Sequence, residues 1–271
     1  MVISEIDSKE VIVKSKLPGA DYVINPYIGC SHRCLYCYAS FMQRFSKHTE
    51  PWGDFVDVKI NYREIKKEKL SGKVVLLGSV TDPYQHAEKK FLATRKILEK
   101  LVGCDCAIEI LTKSDLVLRD IDLIKKFEDI TIGVSLNTVD EDFRKDMEPG
   151  AISIQRRIEL LKELQRLQIR TYVFVSPIFP EITDIQRLME ITRMYTDCYC
   201  FENLNLRGKY KKSILEYIKE KYPRQLPLYE EIYVNKNMKY WEDMLGQISE
   251  IAERENINSK IYFYHEKIKK K

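Results

Sequence analysis

The amino-acid sequence predicts an α/β protein, an open partial (β/α)6 TIM-like barrel with a helical C-terminal elaboration. Three observations lead there. Short β-rich apolar runs alternate with longer charged segments of helical spacing, six such units follow one another, and Lys, Glu and Tyr become prominent after about residue 204. Alternation of strand and helix gives parallel strands joined by crossover helices. Six units are too few for the eight-strand closure of a full barrel. The 271 residues, 44% of them hydrophobic, suffice for one large domain or two small ones. The expected division is a barrel over residues 1–204 and an elaboration over residues 205–271 that packs on it.

A first strand is expected in residues 22–28, and residues 53–70 read as an inserted strand and helix. The clearest apolar runs follow at 73–78, 107–111, 130–135, 171–175 and 198–201. Between them, residues 87–101, 117–127, 153–167 and 183–195 have helical spacing. Within 153–167, Ile154, Ile158, Leu161, Leu164 and Leu167 stand three or four apart, the apolar stripe of an amphipathic helix. Beyond residue 204 the chain carries Pro223 and Pro227, a long helical stretch at 238–255 and a closing strand at 261–264. Ligands of such folds gather at the carboxyl ends of the strands, so chemistry is expected at strand-to-loop junctions.

Basic and acidic residues nearly balance, 45 against 41, and part of the +4 excess sits in the tail at 266–271, which reads as a solvated end. Such a balance is not the footprint of a nucleic-acid binder, so nucleic acid is possible but not favoured as a partner. No apolar stretch is long enough to span a membrane, and residues 1–16 have no secretory h-region. A cytoplasmic location is therefore expected. There the seven cysteines stay reduced and act as metal ligands or catalysts in preference to disulfides.

The strongest chemical signal is the run Asn25-Pro26-Tyr27-Ile28-Gly29-Cys30-Ser31-His32-Arg33-Cys34-Leu35-Tyr36-Cys37-Tyr38-Ala39. Three thiols at this spacing, on a loop at 29–38 after an expected strand, can take three corners of an iron–sulfur cubane, for which thiolates are the usual ligands. The fourth iron then has no protein ligand and stays open to a small molecule. The competing reading is a structural zinc site, which closes with four protein ligands. His32 lies inside the loop, and no paired second half stands out.

These three cysteines, with an aromatic just before the third, resemble the signature of the radical S-adenosylmethionine (SAM) superfamily. The wider pattern resembles its spore photoproduct lyase-like branch. It runs through Asn25-Pro26-Tyr27, Thr81-Asp82-Pro83-Tyr84-Gln85, Thr112-Lys113-Ser114 and Val134-Ser135-Leu136-Asn137-Thr138, then Glu148-Pro149-Gly150, Arg156-Arg157 and Pro177-Ile178-Phe179-Pro180. These matches lie in order over residues 22–185, and residues 202–208 resemble a related subgroup.

The resemblance implies a [4Fe–4S] cluster on Cys30, Cys34 and Cys37, with SAM chelating the open iron. It implies reductive cleavage of SAM to a 5′-deoxyadenosyl radical that takes hydrogen from an unidentified substrate. A flavodoxin or ferredoxin is implied as the low-potential electron donor. Lys113 would meet the SAM carboxylate, and Ser135 its ribose or methionine part. Thr81 and Asp82 stand where many relatives carry a Gly-Gly-Glu turn for the SAM amino group; that turn is absent, and a simple Asp-Pro turn is the alternative. Tyr36 would lie against the adenine, and Tyr36 and Tyr38 match tyrosines thought to help relay a hydrogen atom in the lyases. The lyases' cysteine hydrogen donor has no counterpart, since Val80 aligns there. Lesion repair or base modification of nucleic acid, and a non-catalytic zinc module, are the alternatives.

Two further pairs, Cys104-Asp105-Cys106 and Cys198-Tyr199-Cys200, read as buried core cysteines, with a second metal site as the sharper option. Glu148 and Arg157 occupy family-like positions, although Arg157 reads equally as a helix-face residue paired with a surface acid. Tyr210, Tyr217, Tyr222, Tyr229, Tyr233 and Tyr240 read as packing residues, with base stacking as the alternative.

Overall fold

The computed structural model describes residues 1–207 and 210–263. The chain opens with strands β1 (Val2–Asp7), β2 (Ile12–Lys14), β3 (Tyr22–Ile24) and β4 (Tyr27–Ile28), then β5 (Phe55–Ile60) and β6 (Lys73–Leu77). Alternation follows: α1 (Glu88–Phe91), α2 (Ala93–Leu101), β7 (Cys106–Thr112), α3 (Ile121–Ile124), β8 (Ile130–Ser135), α4 (Glu141–Met147), α5 (Ile154–Arg166), β9 (Arg170–Ile178), α6 (Ile185–Thr192) and β10 (Cys198–Asn203). The end comprises α7 (Tyr210–Lys221), α8 (Leu226–Tyr233), α9 (Lys239–Arg254) and β11 (Ser259–Ile261).

The main sheet has the order β11-β10-β9-β8-β7-β6-β3-β2 and stays open, with no pairing between β2 and β11. All its pairings are parallel except β2 with β3. The six expected barrel strands are thus present in the expected order, as an open α/β sheet rather than a closed barrel. Alternate residues such as Ile108, Ile110, Ile132, Val134, Val173, Val175 and Phe201 are buried in the core beneath the helices. The other set, ending in Ser135, Ser176 and Glu202, lies on the opposite face, because side chains alternate along a strand.

Several expected elements differ. Residues 22–28 form two strands in two sheets: β3 joins the main sheet, while β4 pairs with β5, which also pairs with β1. The break falls at Asn25-Pro26, where proline supplies no amide hydrogen and the Asn25 side chain bonds across to Ser79 Oγ (2.8 Å) and Val80 N (3.1 Å). Residues 53–70 contain the strand but only a one-turn 3-10 helix at Lys67–Lys69. Ile65 and Leu70 are five apart and cannot share one helix face. The stretch at 87–101 splits at Leu92, whose φ is +53°, and 117–127 is a 3-10 helix, Asp115–Asp120, running into the short α3.

The helix at 153–167 appears as α5, capped by Ser153, whose hydroxyl accepts from Arg156 N. The end of the chain supplies more than a cover. Helices α7 to α9 add Ile214, Ile218, Tyr229, Ile232, Trp241 and Ile248 to the core, and β11 extends the main sheet beside β10. Pro227 sits in the first turn of α8, where its missing N–H costs nothing. Tyr264, the last residue of the expected closing strand, and the basic tail lie outside the described residues. Among the described residues no helix is long and apolar enough to cross a membrane.

One buried carboxylate joins the small sheet to this frame. Glu88 is wholly buried and accepts from Tyr27 Oη, Thr94 N (2.8 Å), Arg95 N (3.2 Å) and Arg119 Nη2 (2.7 Å). Its bonds to Thr94 and Arg95 satisfy amides of the first turn of α2, which explains the break at Leu92. Loss of this carboxylate costs about 3–5 kcal/mol, because the buried Tyr27 hydroxyl and the Thr94 and Arg95 amides lose their acceptor, while Arg119 stays paired with Asp120. Glu88→Ala is therefore expected to lower unfolding free energy by about that amount in denaturant melts, far more than a surface change such as Lys212→Ala.

Candidate active site

The three cysteines of the 29–38 loop lie at the carboxyl end of the main sheet. The loop curls through two tight turns, Arg33 N to Cys30 O (3.3 Å) and Cys37 N to Cys34 O (3.1 Å), with Arg33 at φ +54°. Gly29 starts it at φ +85°, where a Cβ would come within 2.2 Å of the Phe55 carbonyl oxygen. From one side Gln85 clamps the backbone, accepting from Ser31 N (2.8 Å) and donating to Gly29 O (3.1 Å), while Ser31 Oγ accepts from His86 N (3.2 Å). From the other side Leu35 N reaches Met147 O (2.9 Å) and Gly150 N reaches His32 O (3.0 Å). Gly150 packs so closely that a Cβ there would lie 2.1 Å from Ser31 O.

The three thiols are near enough for Cys34 to feel the charges of both Cys30 and Cys37. Burial pushes all three up, Cys30 to about 12, with neighbouring carboxylates or thiols adding to the effect at Cys30 and Cys34. Only a cation at their centre reverses that, since a coordinating thiol loses its proton outright. The Trp52 indole donates to Cys37 Sγ (3.3 Å).

Lys113, next after β7, is a cation whose charge reaches Cys34 and Cys37. Burial works against its charge, but Cys34 and Glu148 outweigh burial and hold it above the ordinary lysine value. Its Nζ is 4.0 Å from Glu148 Oε1 and 5.9 Å from the centre of the Tyr36 ring. Glu148 is wholly buried, accepting from Tyr36 Oη on one oxygen and from Arg157 Nη2 on the other. Burial disfavours its charge, yet Arg157 and Lys113 keep its carboxyl below the usual range. Arg157 is equally buried and donates also to Ser135 O (3.0 Å) and Ile152 O (3.2 Å). It is therefore not the partner of a surface acid; it belongs to a closed network of Tyr36, Glu148, Arg157 and the end of β8.

The remaining residues singled out from sequence are dispersed around this network. Asp82 accepts from Tyr84 N (2.8 Å), Thr112 Oγ1 (2.7 Å) and Lys113 N (2.7 Å), so its carboxylate ties the loop after β6 to the end of β7. Thr81 turns its hydroxyl toward Tyr27 O (3.5 Å). Ser135 ends β8, its carbonyl held by Arg157. Tyr38 donates to Ser79 O and faces Glu202, which accepts from Ser176 Oγ (2.6 Å). Gln85 and Trp52 carry contacts that sequence reasoning missed; Gln85 stood within the quoted 81–85 run, whereas nothing marked Trp52.

The two outlying cysteine pairs do not converge. Cys106 packs in the core under the helices, whereas Cys198 and Cys200 face Glu109 and Lys260 on the other side of the sheet. The C-terminal tyrosines are packing residues, Tyr229 donating to Pro180 O (3.2 Å) and Tyr233 to Leu204 O (2.9 Å).

The family model described as the radical SAM superfamily matches residues 24–193, which contain the loop, Lys113, Glu148 and Arg157. The chain belongs to the radical SAM superfamily. It is an enzyme of that class, whose members imply an iron–sulfur cluster and SAM. An uncharacterised protein of Methanocaldococcus jannaschii is 40% identical over 249 residues, 91% of this chain and 93% of that protein. The radical SAM Nα-GlyT isomerase of Pseudomonas phage M6 is 32% identical over 174 residues, 61% of this chain and 35% of the phage protein. A spore photoproduct lyase variant solved with AdoMet and a dinucleoside spore photoproduct shares the fold at a TM-score of 0.60 and 16% identity, over 82% of this chain and 66% of its own.

Two outcomes follow from this radical SAM site. Glu148→Gln is expected to cost about 3 kcal/mol of stability by leaving Arg157 charged and unpaired, and adding Arg157→Met should restore part of it in denaturant melts. His32 is buried with Nδ1 3.4 Å from Asp82 Oδ2, out of line for a hydrogen bond, and burial lowers its pKa from 6.5 to about 4. Between those values the unfolded chain binds a proton that the folded protein refuses, so stability falls as pH drops from 6.5 to about 4. His32→Gln should flatten that part of the stability–pH curve.

Proposed function

We propose that Cys30, Cys34 and Cys37 hold a [4Fe–4S] cluster and that the chain cleaves SAM reductively to act on an unidentified substrate. The observation that carries this reading is the meeting of three thiols, Cys30 buried and Cys34 and Cys37 half-buried, with one largely buried lysine at the carboxyl end of a parallel sheet. The donor set suits a cubane, since soft thiolates are its ligands and the adjacent carboxylate, Glu148, is already committed to Arg157 and Tyr36.

When bound, the cluster supplies the electron that splits SAM into methionine and a 5′-deoxyadenosyl radical, which takes a hydrogen atom from the substrate. The chain's own residues bind and orient. Lys113 is the partner for the SAM carboxylate, a compact charge held at the end of β7 by its backbone bond to Asp82. Tyr36, fixed by Glu148 and packed edge-on to Phe179 at 5.7 Å, forms a wall for the adenine. Ser135, at the end of β8, would serve the ribose or methionine part. Asp82 keeps Thr81 and Lys113 at the same rim, with its own carboxylate or the backbone of this turn available to the SAM amino group. Tyr38 lies on the substrate side, toward Ser176 and Glu202. The low-potential donor is a flavodoxin or ferredoxin. A reducing, cytoplasmic setting agrees with seven cysteines that are all free thiols.

A second reading places the substrate in nucleic acid, as lesion repair or base modification. It is favoured by the likeness in fold to the lyase variant solved with a dinucleoside photoproduct. Val80, where the lyases carry their cysteine donor, argues against photoproduct repair itself.

Anaerobically reconstituted protein given a reductant and SAM is expected to form 5′-deoxyadenosine. Cys30→Ala, Cys34→Ala or Cys37→Ala should each abolish both the cluster absorbance and that product. Undiminished turnover in cluster-free Cys34→Ala would overturn the reading.

A further inference from the structure

We propose that the 3-10 helix following the third cysteine, with the turn behind it, is the docking surface for a small acidic electron-transfer protein. This rests on the assignment of the cluster to Cys30, Cys34 and Cys37.

The helix, Tyr38–Phe45, begins at the residue after Cys37. It presents two phenylalanine rings to solvent, Phe41 at 45% and Phe45 at 62% exposure. The Arg44 guanidinium lies over both rings, 5.4 Å and 4.6 Å from their centres. Neither Arg44 nor Lys47 takes part in an ion pair among the described residues. Nearby, Arg33 is fastened to Gly53 O (3.0 Å) and Asp54 (2.6 Å). The acids on this face are thus engaged: Asp54 by Arg33, and Glu50 by His48 at 3.1 Å. The net result is a pair of uncompensated cations beside exposed aromatic rings.

The segment is also braced. Gln43 donates to Glu50 O (2.7 Å), and His48 bonds Asp57 (2.7 Å) and stacks on Phe55 at 4.2 Å between ring centres. A pre-ordered patch of aromatic and arginine side chains loses little entropy on binding and is the usual make-up of an interface hot spot. Cations at its edge steer an acidic partner.

What selects an electron donor is the contact behind the patch. Trp52, partly buried, packs edge-on to Phe55 at 5.9 Å and donates to Cys37 Sγ at 3.3 Å, so the braced segment touches a cluster ligand directly. One electron leaves the donor's flavin or iron–sulfur centre and one arrives at the cluster; no proton or covalent bond moves. A nucleic-acid strand would also meet the cations and stack on the rings, but it has no use for that contact, whereas an electron donor accounts for both.

The test uses cluster-loaded protein, an acidic flavodoxin and a single-stranded oligonucleotide as probes. Arg44→Glu and Phe45→Ser are each expected to weaken flavodoxin binding about tenfold, with Arg44→Glu also flattening its salt dependence. Cluster absorbance and dithionite-driven formation of 5′-deoxyadenosine should match wild type, while flavodoxin-driven formation falls. Unchanged flavodoxin binding in both variants overturns the docking surface, as does a loss confined to the oligonucleotide, which would assign the patch to nucleic acid. A wild-type protein that makes no 5′-deoxyadenosine with dithionite overturns the cluster assignment instead, whatever the variants bind.

Discussion

The buried carboxylate of Glu148 is the point to which the site is tied. It receives the hydroxyl of Tyr36 from the cysteine loop and the guanidinium of Arg157 from α5, and the ammonium of Lys113 stands beside it. A carboxylate removed from water survives as a charge only where fixed cations and hydrogen bonds replace its hydration. That requirement brings three distant parts of the chain to one place. Arg157 passes the constraint on to the carbonyls of Ser135 and Ile152, so the end of β8 and the start of α5 are held by the same charge.

A second set of polar contacts holds the opposite flank. Gln85 clamps the cysteine loop, and three residues later Glu88 gathers Tyr27, Arg119 and the first amides of α2. The loop between β6 and α1 is thereby attached to the cysteine loop, the small sheet and the helical layer. Gly150 and Gly29 contribute by what they lack, since a methyl group at either would overlap a carbonyl oxygen. A loop with so little regular structure of its own gains a single shape from being gripped on both sides.

The two faces of the cysteine loop then differ in character. Inward lie Lys113, Tyr36 and, further along the rim, Ser176 and Glu202, a polar set at the carboxyl ends of parallel strands. Outward, Trp52 lies against Cys37 beneath a surface of exposed phenylalanine and unpaired cations. On the proposed assignment, cofactor and substrate chemistry belongs to the first face and electron delivery to the second, with Cys30, Cys34 and Cys37 between them.

The local pattern of the sequence determined the strand–helix alternation, the order of the six barrel strands, the capped helix α5 and the cysteine loop. Each is written in residues close together in the chain, as apolar period, cap or ligand spacing. What only the tertiary structure decided is encoded at long range. Residues 22–28 divide between two sheets because partners at Val75–Leu77 and Asp57–Val58 compete for them. Glu148 and Arg157 stood at family-like positions, but nothing local showed that burial would pair them with each other and make them the anchor of the site. The grip of Gln85 on the loop and the contact of Trp52 with Cys37 are equally invisible to local pattern. Hydrogen bonds of this kind depend on where a side chain ends up in space, and a single glutamine or tryptophan has no periodicity from which that place can be read.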